Sequence, residues 1–325
     1  MEDRTKRNVM ISAVIIAVIY GVGCRLVFGS TFTSSFLRTL SNGFLIVMPI
    51  ALGALTVYLL RNRPIKTLVE AIAVPFVPSM ILMLGVVIIN LEATICVIMA
   101  SPLFLIMSSV GGAVMYLMLR AAKHYGIGQR TQQTVLALVL IIPYLVTPLG
   151  RDTTPLTRSV VNRVEVNADA DAIWAQIIRV PEISEAEQRF SLFHVMGIPR
   201  PLEATLEGNG VGAVRHGIFE YGLSFEERIT EWQPGMVIEF DIDVEPSALV
   251  PAPLTEIGGR HFDVLAARYE IEPLNDGRSI LHLKSTYQLT TEINFYASLW
   301  ADLIMQDFQQ YVLEIVKRRA EAGSA

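Results

Sequence analysis

Five long apolar stretches occupy most of the first 150 residues, and they limit the possible folds more than any other feature. They are residues 9–28, 43–60, 68–90, 93–119 and 134–149. A helix needs about 20 predominantly apolar residues to cross the hydrocarbon core of a bilayer. The first four stretches meet or approach that length, whereas the fifth is shorter and contains Pro143 and Pro148. The pattern predicts an α-helical transmembrane bundle of about five spans over residues 1–150.

The charge changes sign between the two halves of the chain. Residues 1–150 contain 11 Lys and Arg against 4 Asp and Glu, whereas residues 151–325 contain 15 against 27. The acidic second half argues against nucleic acid as a partner, because phosphate contacts require clustered Lys and Arg. We therefore divide the chain into a membrane bundle (1–150), a polar linker (151–157) and a second domain (158–325), which is large enough to bury its own core.

Lys and Arg also predict the orientation of the bundle, because cytoplasmic loops carry an excess of them. One side of the predicted spans carries Arg4, Lys6, Arg7, Arg61, Arg63, Lys66, Arg120, Lys123 and Arg130, and the other carries Arg25, Arg38 and Arg151. We expect a multi-pass protein of the bacterial inner membrane with a cytoplasmic amino terminus. Five crossings place the second domain in the periplasm; if the fifth stretch does not cross, the side reverses.

The spans carry no charged residue near their middle, which favours an anchor over an ion-coupled carrier. Gly111 and Gly112 in the fourth stretch predict close contact between helices. The expected partners of this half are the lipid bilayer and, as an open possibility, another membrane protein.

The second half reads as strands, helices, more strands and one long helix. Alternating apolar and polar residues predict strands at 158–166, 201–207, 212–221, 223–232, 236–245, 262–274 and 279–290. Asp169 is suited to cap a helix that ends before Pro181. The last helix is predicted over 294–321, with a buried stripe of Phe295, Leu299, Leu303, Ile304, Phe308, Val312 and Ile315.

Several sequence segments of this half, and the order in which they occur, resemble the START-like or SRPBCC superfamily, which includes polyketide cyclase/dehydrase-like and Bet v 1-like proteins. The segments are VEVNADADAIWAQI, GIPRPLEATLEGNGVGAVRHGIFEYGLSFEERITEWQPGMVIEFDI, YEIEPLNDGRSILHLKSTYQL and VLEIVKRRAE. The resemblance implies an α+β helix-grip domain, in which a curved antiparallel sheet surrounds a long C-terminal helix. It leaves the function open, because such folds include binders, carriers and enzymes.

A curved sheet around a helix leaves a space that is either filled or holds a ligand. The side chains expected to line it are Phe225, Ile229, Trp232, Ile238, Phe240, Ile242, Ala267, Tyr269, Ser285 and Tyr287. Other polar residues that could reach it are Arg215 or His216, Tyr221 and His261. For each tyrosine the alternative is a core residue whose hydroxyl finds a backbone partner. The apolar loops 190–198 and 247–259 are expected to border the opening.

Sequence motifs for metal or nucleophilic chemistry are missing from this half. His194, His216, His261 and His282 have no metal-ligand spacing, both cysteines lie in the first half, and GxSxG does not occur. We expect no metal and no cofactor. Three functions remain. The first is binding or transfer of a hydrophobic or amphipathic small molecule, for example a lipid, at the outer face of the inner membrane. The second is a cyclase/dehydrase-type enzyme acting on such a molecule, and the third is a non-catalytic assembly or regulatory partner with a filled core.

Overall fold

The computed structural model describes residues 2–30, 43–62, 65–89, 94–145, 154–188, 190–195, 197–245, 257–259 and 261–323. The chain forms two compact units, Met1–Asp152 and Thr153–Ala325. The first is helical, and the second combines a sheet with helices.

The helices of the first unit follow the apolar stretches of the sequence. They are α1 (Glu2–Ser30), α2 (Met48–Leu59, preceded by a π-helical turn at Gly43–Val47), α3 (Leu68–Ala73), α4 (Phe76–Ile88), α5 (Thr94–His124) and α6 (Gln129–Leu145). A break before Pro75 separates α3 from α4, as expected where proline removes a backbone donor.

Three helical stretches of the described chain are long and apolar enough to cross a membrane: Asn8–Leu26, Leu68–Ile88 and Thr94–His124. The apolar helix Leu45–Leu59 is shorter. Helix α6 begins with the polar run QRTQQ, so less than its full length is apolar. The helical and apolar nature of this unit is therefore confirmed, whereas the number of five crossings is not.

Helices α2 and α5 pack with their backbones in contact, through glycine. A Cβ atom on Gly111 would lie 2.0 Å from the carbonyl oxygen of Ile50, and one on Gly53 would lie 1.9 Å from that of Ser108. No larger residue fits at either position without moving a helix. The close contact predicted from Gly111 and Gly112 is confirmed.

The second unit contains a seven-stranded sheet in which every neighbouring pair is antiparallel. The strands are β1 (Leu156–Val166), β2 (Pro201–Glu207), β3 (Val214–Phe219), β4 (Ser224–Gln233), β5 (Val237–Glu245), β6 (Phe262–Pro273) and β7 (Ser279–Leu289). Their order across the sheet is β1-β7-β6-β5-β4-β3-β2. Two short helices, α7 (Ala170–Ile178) and α8 (Leu192–Val195), come between β1 and β2, and the long helix α9 (Asn294–Gly323) follows β7. This is the expected antiparallel sheet with a long C-terminal helix.

Alternation on β5 separates the two faces of the sheet. Ile238 and Phe240 are buried, Glu239 between them is half-buried, and Asp241 and Asp243 beyond them are exposed. A β-bulge between Val264 and Ala266 shifts the register of β6. Strict alternation from Ala267 would put Leu265 on the inner face, but Val264 lies there instead, because a bulge places two residues opposite one.

The predicted buried stripe of α9 is wrong in its first half. Phe295, Leu299 and Leu303 are 70%, 63% and 42% exposed, whereas Ile304 and Phe308 face the sheet. Each helical residue turns by about 100°, so residues spaced by four drift about 40° per step. Phe295 and Ile304 are nine residues apart and therefore lie about 180° apart, on opposite faces of the helix.

Polar contacts attach α9 to the sheet. The Gln309 side chain is fully buried, and its Nε2 donates to the Ser285 hydroxyl (2.8 Å) and to the Val160 carbonyl (3.1 Å). The carboxylate of Asp302 accepts from the Tyr287 hydroxyl (2.6 Å) and from the Arg158 guanidinium (2.6 Å). The helix is thus held to β1 and β7 at two positions along its length.

The observed buried face of α9 predicts that two leucines on this helix contribute very differently to the stability of the second unit. In the second unit made alone, Leu313→Ala should lower the free energy of unfolding by about 2–5 kcal/mol, because Leu313 is 1% exposed and its removal leaves a cavity. Leu303→Ala is the matched control and should change it by less than about 0.5 kcal/mol. Urea denaturation measures both. Equal losses would contradict the assigned face.

Candidate functional site

A cavity of about 180 Å³ lies between the inner face of the sheet and α9. Helix α9 contributes Ile304, Met305, Phe308, Val312, Ile315 and Val316 to its wall. Val180, Ile183, Ile198 and Pro199, from the segment between α7 and β2, extend the wall beside the sheet. The cavity therefore occupies the place at which the helix-grip arrangement predicts a ligand space.

Small residues on the sheet create this space. Ala204 on β2, Gly217 on β3 and Ala267 on β6 all line it. A Cβ atom on Gly217 would lie 3.1 Å from Glu227 Oε1, so glycine also leaves room for that carboxylate. Larger side chains at these positions would occupy the volume that α9 leaves open.

An ion pair is buried in the otherwise apolar wall. Arg215 on β3 and Glu227 on β4 lie directly opposite each other in the strand pairing, and they are 5% and 8% exposed. Arg215 Nη1 donates a hydrogen bond to Glu227 Oε2. The Arg215 guanidinium carbon also lies 5.4 Å from the centre of the Phe240 ring. A buried charge is tolerated when it is paired in this way.

Burial and charge oppose each other in the protonation of this pair. Burial is the largest influence on Glu227 and raises the pKa of its carboxyl, while contact with Arg215 acts against that rise. Burial is the largest influence on Arg215 and acts to lower its pKa, but the charge of Glu227, the nearby Tyr269 and the hydrogen bond to Glu227 together outweigh it, and the pKa is raised. The guanidinium therefore stays charged, and Glu227 is the counter-charge in direct contact with it.

Tyr269 and Ser285 add two hydroxyl groups to the wall. Burial is the largest cause that raises the pKa of Tyr269 to about 12, with Glu227 adding to the rise and Arg215 opposing it. The phenol is thus protonated at neutral pH and can donate a hydrogen bond. Ser285 Oγ accepts from Gln309, so its own hydrogen is available for another acceptor.

The structure brings six of the ten predicted lining residues to the cavity: Phe225, Phe240, Ile242, Ala267, Tyr269 and Ser285. Ile229 and Ile238 belong instead to the filled part of the core, because they pack among the residues beneath α7. Trp232 packs edge-on against Trp174, with ring centres 5.1 Å apart. Tyr287 lies in a separate cluster near the start of α9 and bonds Asp302.

Among the other polar candidates, the structure selects Arg215. His216 is half-buried and does not line the cavity, and Tyr221 is exposed in a short turn. His261 is buried but does not line the cavity. Its Nδ1 lies 3.0 Å from the carbonyl oxygen of Thr290. The apolar loops are divided: Ile198 and Ile257 line the cavity, Phe190 is exposed, and residues 246–256 lie outside the described part of the chain.

Sequence reasoning missed Glu227. The alternation of β4 could have revealed it, because Glu227 lies between Phe225 and Ile229 on the inner face of the sheet. Its neighbour Glu226 carries the same charge, and only the register distinguishes the two. Groups of three or more His, Cys, Asp or Glu placed to hold a metal ion are not found among the described residues.

No family model and no curated protein matches the chain. Solved structures resemble it at low identity over about half its length. A norcoclaurine synthase point mutant from Thalictrum flavum is 12% identical, covering 53% of this chain and 99% of that one, with a TM-score of 0.34. The Zhui aromatase/cyclase from Streptomyces sp. R1128 is 16% identical (52% and 100% covered, TM-score 0.33). Major latex-like protein 151 from Panax ginseng is 14% identical (52% and 99%, TM-score 0.34). No functional conclusion is drawn from likeness at this level.

The buried pair predicts a strong dependence of stability on both partners. Glu227→Ala should lower the free energy of unfolding of the second unit by about 3–5 kcal/mol, because it leaves the Arg215 charge buried without a partner. Adding Arg215→Met should restore most of that loss. The control is Arg228→Ala, which removes an exposed ion pair with Glu226 on the same strand and should change stability by about 1 kcal/mol or less. Similar losses for Glu227→Ala and Arg228→Ala would refute a tightly coupled buried pair.

Proposed function

We propose that this chain is a membrane-anchored protein that binds a small amphipathic molecule in the cavity between its sheet and α9. The observation that carries the proposal is the combination of an apolar wall with one polar cluster, Arg215, Glu227 and Tyr269. Ligand sites typically have this composition, in which apolar walls supply affinity and a few polar groups fix orientation.

The volume limits what can enter. An apolar cavity of about 150 Å³ holds one benzene molecule, whereas sites for drug-sized ligands measure about 300–1,000 Å³. At about 180 Å³ the cavity accommodates a ring or a short chain. The proposed ligand is therefore a small amphipathic molecule, or the apolar end of a larger lipid whose remainder stays outside.

The two other functions left open by the sequence have less support. A filled core is disfavoured, because native interiors contain few voids larger than a water molecule. A cyclase/dehydrase-type reaction would use Glu227 or Tyr269 for proton transfer. The Glu227 carboxylate is held by a hydrogen bond from Arg215, which favours a role in positioning that guanidinium for recognition over a role in acid catalysis.

The first unit is the proposed anchor. Its three long apolar helices, the excess of Lys and Arg on one side and the absence of charge from the middle of the spans support a place in the bacterial inner membrane with a cytoplasmic amino terminus. With an odd number of crossings, such as the predicted five, the binding domain would lie on the periplasmic side, where it would exchange its ligand with the outer leaflet.

The topology is tested with reporters fused after Gly323. Alkaline phosphatase there should be active and green fluorescent protein dark, because the first requires export and the second fluoresces in the cytoplasm. Fusions after Tyr125, in the predicted cytoplasmic loop, are the matched control and should give the opposite pair of signals. Fluorescence from the Gly323 fusion would place the domain in the cytoplasm.

The cavity itself is tested with Ala267→Phe. The added ring enters existing space, so the full chain in detergent should keep nearly its native melting temperature and lose its small-molecule ligand, detected by mass spectrometry of an organic extract. The control is Ala301→Phe, at a close-packed position beside Tyr287, where overpacking should cost about 1–3 kcal/mol. Equal destabilisation by both changes, or an undiminished ligand in Ala267→Phe, would count against a binding cavity.

A further inference from the structure

The buried guanidinium of Arg215 has five N–H donors, and the described residues use only some of them. Nη1 bonds Glu227, but Nε is buried and has no hydrogen-bond partner among the described residues. A buried donor without a partner is costly, and native structures usually satisfy such groups. Because Arg215 lines the cavity, a molecule inside it is the available source of an acceptor.

We propose that the cavity selects an uncharged ligand that carries a hydrogen-bond acceptor oxygen of the ketone or ester type, which accepts from the guanidinium of Arg215. This inference rests on the proposed function and names the chemistry of its ligand. The proposed hydrogen bond involves the polar end of the ligand, whereas the apolar wall limits the size of the ligand's apolar part.

The charges of the wall argue against an anion. Arg215 is already neutralised by Glu227, and Glu203 on β2 adds a second carboxylate to the lining. A ligand carboxylate would lose its hydration and meet one cation with two anions. Such burial without a free counter-charge is strongly unfavourable. A neutral oxygen loses much less hydration and still gains the hydrogen bond.

Two other polar groups of the lining also offer donors. The Tyr269 hydroxyl is a donor at neutral pH, and the Ser285 hydroxyl already accepts from Gln309 and has its hydrogen left. The acceptor nearest to Arg215 in the wall is Glu227, and its Oε2 is engaged by Nη1. The lining therefore offers unused donors on Arg215, Tyr269 and Ser285, which suits a ligand that accepts hydrogen bonds.

The test compares four probes of similar size and different polar ends: ethylbenzene, acetophenone, phenylacetate and phenethylamine. Their binding to the full chain in detergent is measured by ligand-observed NMR. Ala267→Phe, in which the cavity is filled, is measured in parallel so that partition into the micelle is subtracted. In the wild type, acetophenone should bind about tenfold more tightly than ethylbenzene, the gain of one hydrogen bond to a charged donor. Phenylacetate and phenethylamine should both bind more weakly than acetophenone.

Glu227→Gln provides the second test, because it removes the counter-charge and keeps the size of the side chain. Phenylacetate should then bind at least about tenfold more tightly than it does to the wild type, since the Arg215 charge is no longer neutralised. Arg215→Gln/Glu227→Gln, a neutral pair, controls for the loss of Glu227 and should show no such gain. If Glu227→Gln does not fold, the order of the four probes on the wild type still decides the matter.

The outcomes separate this inference from the function on which it rests. If no probe distinguishes the wild type from Ala267→Phe, the proposed binding function fails. If ethylbenzene binds in the cavity and acetophenone binds no better, or if phenylacetate or phenethylamine is preferred in the wild type, the binding function stands and the proposed ligand chemistry is overturned.

Discussion

The need to cover one apolar face of a seven-stranded sheet governs the second unit. An antiparallel sheet can leave one face in water, but its other face must be buried, and α9 buries it together with α7. Gln309 and Asp302 attach the helix to β1 and β7 near one edge of the sheet. Towards β3 and β4 the sheet and helix leave space between them, and that space holds Arg215 and Glu227. The position of the cavity thus follows from where the helix is attached.

The strands and the long helix could be predicted from the sequence because alternation and turn residues are local signals. The predicted bounds of β2 match those observed, and α9 begins at the predicted residue. The β6 bulge could not be predicted, since nothing around Leu265 marks it. The buried face of α9 was predicted wrongly because a line of residues four apart rotates around a helix. The sequence also does not distinguish Phe295, which is exposed, from Phe308, which faces the sheet.

The candidate site was predictable in outline but not in its chemistry. Residues such as Phe240 and Ala267 followed from their alternation with polar neighbours. Whether an inward side chain meets open space or a filled core depends on the opposite element. Ile238 and Phe240 therefore look identical in the sequence, yet only Phe240 lines the cavity. Glu227 was not predicted as a lining residue, because a charged residue is normally assigned to the solvent face. Its partner Arg215 lies opposite it on β3, which only the strand pairing shows.

The small residues on the inner face of the sheet affect how the cavity could change in shape during evolution. Gly217 is constrained by the carboxylate of Glu227, but Ala204 and Ala267 border open volume. Single substitutions at these two alanines would reshape the cavity in small increments while strand pairing and the buried ion pair persist. Descendants of this chain could in that way exchange one ligand for another through a series of folded intermediates. The proposed preference for an acceptor oxygen would persist in such variants, because Arg215 and Glu227 are unchanged, while the shape of the accepted molecule varies.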